Sequence, residues 1–152
     1  MVAVQSAAQR WASGDAPGAV AQLRDAVSLS PAFAEAHLQL GRAIRDSGGD
    51  SAEALRELRA ALNLAPERAD IHYEIGVTLL SAGRTGEALE EFRAAAAMAP
   101  CQVDSRRALA RLAAGAQEWR GAAAQWNAVL AWEPNDKEAL AGLERATPGK
   151  VP

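Results

Sequence analysis

Two histidines, a single cysteine and one glycine-rich run are the residues of this 152-residue chain whose types could do chemistry. His37 and His72 lie 35 positions apart, and neither has a second histidine or a cysteine at ligand spacing. A zinc site draws about four such donors together, so both histidines read as side chains filling equivalent packing slots. Cys101 follows Pro100 in a turn, with no histidine placed by the sequence to activate its thiol. The run "SGGDS" at 47–51 lacks the following Lys-Ser/Thr and the preceding strand of a phosphate loop. Glu90 and Glu91 are neighbours on a polar helix face, where carboxylates serve solvation. No catalytic, metal or cofactor site is expected.

The elements that position these residues follow from composition. Alanine supplies 38 of the 152 residues, while β-branched and aromatic types are scarce. Alanine is the best helix former, so the class is all-α. A net charge of −3 argues against a nucleic-acid partner, which a basic surplus would attract. The longest alanine-rich run, 94–99, is far too short to cross a bilayer, and "MVAVQSAAQRW" lacks the basic start and apolar stretch of a secretory signal. A soluble chain without membrane insertion is expected, with a cytoplasmic location favoured. The sequence sets no oligomeric state.

Repetition decides the architecture. Prolines at 31, 66, 100 and 134 are separated by 35, 34 and 34 residues. A period that regular marks stacked repeats. Small residues follow in frame: Gly41, Gly76 and Ala110 each stand ten positions after a proline. Interior glycine costs a helix about 1 kcal/mol relative to alanine, so two in one frame point to a packing demand. His72, Ile75, Gly76 and Leu79 have the spacing of one helical face, and Ala88, Phe92 and Ala95 form the inward stripe of a second helix. Gly83 and Gly86 mark the turn between them, Thr85 reads as an N-cap, and Asp50 with Glu53 reads as a capping box. Turn signals predict nine helices, over 2–12, 17–29, 33–46, 51–64, 68–81, 85–98, 102–114, 119–132 and 136–146.

This frame resembles the tetratricopeptide repeat, W-x2-L-G-x2-Y…A-x3-F…P over 34 residues. His72, Ile75, Gly76, Leu79, Ala88, Phe92 and Pro100 fill its slots in the central unit. His37, Leu40, Gly41, Ile44, Ala54, Leu58, Ala61 and Pro66 do so in the unit before. The unit after carries Leu109, Ala110, Ala113, Ala122, Trp126 and Pro134, with Arg106 in the Trp slot, where it must snorkel or pair. Trp119, Trp126 and Trp132 are expected to pack in the core of one hairpin. In the first unit Val4, Ala7, Ala8 and Trp11 make an apolar stripe rotated out of the family frame. After Pro134, Leu140 and Leu143 are expected inward, and Glu144 in the glycine slot marks a polar-faced capping helix. The resemblance implies a right-handed helical-hairpin solenoid of four repeats (about 1–33, 34–68, 69–102 and 103–136), a capping helix over 136–146 and a flexible tail at 147–152.

It also implies a function without catalysis. In the family, first helices line a concave groove, here offering Leu38, Arg42 and Arg45, then Tyr73, Val77 and Leu80, then Arg107 and Arg111. An apolar centre flanked by arginines suits an acidic peptide or helix of a protein partner, with an apolar anchor and no cofactor. The full lysine and asparagine set of the family's carboxylate-clamping subgroup is absent, since Leu38, Arg42 and Val77 stand in its slots. The expected function is a protein-interaction scaffold. The alternatives are a regulatory or substrate-docking module of a larger enzyme or secretion machine, and a self-assembling oligomer.

Overall fold

The computed structural model describes residues 2–146, so the tail expected at 147–152 lies outside the described residues. Among these, the elements are nine α-helices: α1 Val2–Ala12, α2 Ala16–Leu29, α3 Ala34–Asp46, α4 Ser51–Leu64, α5 Ala69–Ser81, α6 Thr85–Met98, α7 Val103–Gly115, α8 Trp119–Leu130 and α9 Lys137–Ala146. Each begins and ends within two residues of the span predicted from sequence. The chain divides into two compact units, Met1–Ala88 and Leu89–Pro152, with the boundary inside α6.

In the first unit α1 packs on α2, α3 on α4, and successive pairs join through α2 with α3 and α4 with α5. Its core joins Ala7, Ala19, Val20 and Leu23 to Leu40, Ala43, Ile44 and Ala54. The close approach within the α3–α4 hairpin falls at Gly41. A Cβ there would stand 2.6 Å from Leu58 Cγ and 2.9 Å from the Ala54 carbonyl oxygen. In the second unit α7 packs on α8 and α8 on α9, around Val103, Ala110, Ala122, Trp126, Val129 and Ala139.

The turns repeat a single device. Gly14, Gly48 and Gly83 have φ of 86°, 72° and 75°, and Gln117 holds the equivalent place at 60°. In each case the next N–H bonds back to a carbonyl five residues earlier: Asp15 to Arg10, Gly49 to Ile44, Arg84 to Leu79 and Glu118 to Ala113, at 2.8–2.9 Å. This is a left-handed C-terminal cap, which glycine adopts without strain and glutamine does not. The sequence expectations for caps hold in part. Asp50 does cap α4, accepting from the Ala52 N–H at 2.9 Å, but Glu53 reaches across to Arg24 instead of back to the cap. Thr85 is the first helical residue of α6 rather than its cap.

Three packing expectations are corrected. Trp126 is buried, but Trp11, Trp119 and Trp132 are exposed. Leu140 is also exposed: α9 turns Ala139 and Gly142 inward, and any Cβ at Gly142 would overlap the Trp126 indole. The small slot of α9 is therefore Gly142, two residues before the position that the repeat frame assigns, and Glu144 lies exposed. Arg106 is half-buried, and its Nε finds no hydrogen-bond partner.

Gly41→Ala should lower the unfolding free energy by roughly 1–3 kcal/mol, because overpacking outweighs alanine's helix preference. Gly86→Ala, in the first turn of α6 with nothing within 4 Å of its Cβ position, should be neutral or stabilising. Urea denaturation of the two variants checks this; a Gly41→Ala chain as stable as wild type contradicts the close approach.

Candidate functional site

First-helix residues of the first unit form a charged lattice around one carboxylate. Glu74 of α5 accepts from Arg45 Nη1 at 2.6 Å and lies 3.2 Å from Arg42 Nε, tying α3 to α5. Arg45 also bonds Asp46 at 2.8 Å. One turn earlier, Arg68 bridges Glu35 at 2.7 Å and Asp70 at 2.5 Å. Contacts from Arg68 hold Asp70 below the usual aspartate range. Burial pushes Glu35 up, but hydrogen bonds from Gln39 and Arg68 outweigh it and leave that carboxyl lowered. Arginines expected to steer an anionic ligand are thus already paired with carboxylates of the next repeat.

The expected groove residues separate accordingly. Leu38 is a correction: only 2% exposed, it belongs to the core and offers a ligand nothing. Tyr73 and Val77 are half-buried on α5 and Leu80 is exposed. His37 is buried, with Nδ1 2.8 Å from Glu57 and Nε2 3.0 Å from the Pro31 carbonyl, so it fastens the start of α3 to α4.

A concave surface of the first unit lies nearer the N-terminus. A cleft of about 320 Å³ opens between α1, α2 and α3, walled by Val4, Ala8 and Trp11, floored by Leu23 and Ala43, and rimmed by Arg42 and Asp46. Of the expected residues only Arg42 reaches it. Its signal was present in the sequence as the stripe Val4, Ala7, Ala8, Trp11, whose rotation from the family frame turns Trp11 toward solvent at 36% exposure.

In the second unit Arg107 and Arg111 face carboxylates of the α8–α9 corner. Arg107 bonds Asp104 at 2.8 Å, Asp136 at 2.9 Å and Glu133. Arg111 makes a two-pronged pair with Glu138, both contacts at 2.5 Å. Asp136 caps α9 as well, accepting from the Ala139 N–H at 2.6 Å. That hydrogen bond, helped by Arg107 and opposed by burial, lowers the Asp136 carboxyl; Arg111 does the same for Glu138.

Hairpins closing on small residues, joined at a 34–35-residue period, meet a matching signature: residues 45–101 fit the sequence profile of the tetratricopeptide repeat. Residues 45–101 thus carry the tetratricopeptide-repeat signature. No curated protein sequence matches it. Among solved structures, MamA superposes with a TM-score of 0.82 at 19% identity, over 92% of this chain and 81% of that one. YrrB, a tetratricopeptide-repeat protein with an unusual peptide-binding site, gives 0.75 at 19% identity, over 95% and 74%. A thermophilic tetratricopeptide-repeat protein of Thermus thermophilus gives 0.78 at 21%, over 95% and 79%. At such identities the likeness is one of fold, an all-α helical-repeat solenoid.

The lowered carboxyls set an acid limit for the repeats. A native state that favours ionised Glu35, Asp70, Asp136 and Glu138 is stabilised above their ordinary values of 3.8 for Asp and 4.5 for Glu, and loses that stabilisation as they protonate. The thermal midpoint should stay flat from pH 7 to about 5 and fall below about 4.5. Asp70→Asn should lower the neutral plateau and flatten the acid limb, as calorimetry across pH would record.

Proposed function

We propose that the chain is a protein-interaction scaffold whose first unit holds an apolar side chain of a partner peptide or helix in the cleft between α1, α2 and α3. Tetratricopeptide repeats support the general role. The carrying observation is the cleft: a concave apolar surface with an indole at its wall and a few polar groups at its rim, the usual form of an anchor pocket. Tyr73, Val77 and Leu80 on α5, half-buried or exposed, are the proposed contacts for residues flanking the anchor. Arg42, its side chain 43% exposed, remains able to receive a partner carboxylate beside Glu74. The peptide-binding site of YrrB, a protein of like fold, is consistent with this use.

A peptide selected from a display library against the full chain provides the ligand for a test. Trp11→Ala should weaken its binding by ~2 kcal/mol, about 30-fold, as aromatic anchors do. Arg42→Glu should slow association with an acidic peptide, more at low salt than at high. Binding that survives both Trp11→Ala and Tyr73→Ala unchanged places the ligand elsewhere and overturns the assignment.

A further inference from the structure

The second unit carries a site already filled by its own chain. Arg107 and Arg111 sit on the first-helix face of their repeat, as Arg42 and Arg45 do in theirs, yet four carboxylates engage them, three from the α8–α9 corner and α9. The helix delivering those carboxylates fits loosely. α9 has ten residues, and it buries only Ala139 and Gly142, with Leu143 partly packed. Leu140 points out at 46% exposure. Between α9 and the α7–α8 hairpin a cleft of about 310 Å³ remains, lined by Arg111, Ala114, Trp119, Trp126, Glu138 and Arg145. Charge thus matches well at this surface while space beside the Trp119 and Trp126 rings is left unfilled.

We propose that the face of α7 and α8 beneath α9 is a docking site for a partner's amphipathic helix with an acidic first turn, and that α9 is its built-in competitor. The resident helix shows how the visitor sits: carboxylates on Arg107 and Arg111, and a small residue over the Trp126 indole. A visitor with larger apolar side chains fills the cleft that α9 leaves open, so it has the contacts needed to win the exchange. A helix as short as α9 is marginal without packing, and lightly packed elements open well below the cost of global unfolding. The arginines are then released rather than exposed by any change in the rest of the unit. Tethering gives α9 a high effective concentration, which keeps the site closed to weak ligands. This inference stands on the second unit alone, and its failure leaves the first-unit cleft untouched.

The test uses the full chain and, as probe, a fluorescent synthetic peptide copying residues 131–146. Wild type should bind it weakly. The latch variant Asp136→Asn/Glu138→Gln should bind it at least tenfold more tightly, and adding Arg107→Glu/Arg111→Glu should abolish that gain. In wild type, hydrogen exchange of α9 amides should run at least tenfold faster than that of α8. A latch variant that binds the probe no more tightly, a gain that persists after both arginine reversals, or exchange of α9 as slow as that of α8 each overturns the proposal.

Discussion

Much of this structure depends on how closely two helices of one hairpin can approach. At Gly41 the backbone of α3 comes near enough to α4 that a single added carbon would press on Leu58 and on the Ala54 carbonyl. The chain accepts the helix cost of glycine there because the alternative is to splay the hairpin and loosen the Leu40, Ala43 and Ile44 cluster behind it. Ala110 stands at the same position of a later repeat and Gly142 performs the same service against Trp126 in α9. Close approach sets where the first helix of each pair lies, and on the proposed reading first helices carry much of the surface a partner meets.

The second layer of order is electrostatic, and it changes how that surface should be understood. Arg42 and Arg45 meet Glu74; Arg68 joins Glu35 to Asp70; Arg107 and Arg111 meet the acidic corner before α9. Exposed ion pairs contribute little individually, so these bridges are better regarded as setting register between neighbouring repeats than as the source of stability. They also neutralise the face on which they lie. On the proposed reading, recognition in the first unit then rests mainly on apolar shape, with Trp11 at its edge and the part-exposed Arg42 beside it.

Periodicity made the architecture readable from sequence. Prolines at a 34–35-residue step, small residues ten positions later and paired apolar stripes located all the helices to within two residues, because each signal recurs and each copy checks the others. What resisted was whatever broke the period. In α9 Ala139 keeps the buried slot five residues after the proline, as Ile71 does in α5, but the small residue buried further along is Gly142 rather than position 144. Trp119 and Trp132 looked like core residues by type, yet both lie where a helix meets a turn. Leu38 looked like groove surface by position but is covered in the assembled unit. Pairing of the arginines across elements was not legible, since those partner carboxylates lie 26–33 residues away.

The close approach at Gly41 is tested most directly by a double-mutant cycle with Leu58, the side chain that a new Cβ would strike. Measured by urea unfolding, Gly41→Ala should cost less in a Leu58→Ala background than in wild type. A residual penalty should persist from the Ala54 carbonyl, and the coupling should exceed the ~0.5 kcal/mol within which independent sites add. Additive costs for the two substitutions would mean that the hairpin does not close on this contact, and the constraint assigned to it would fall.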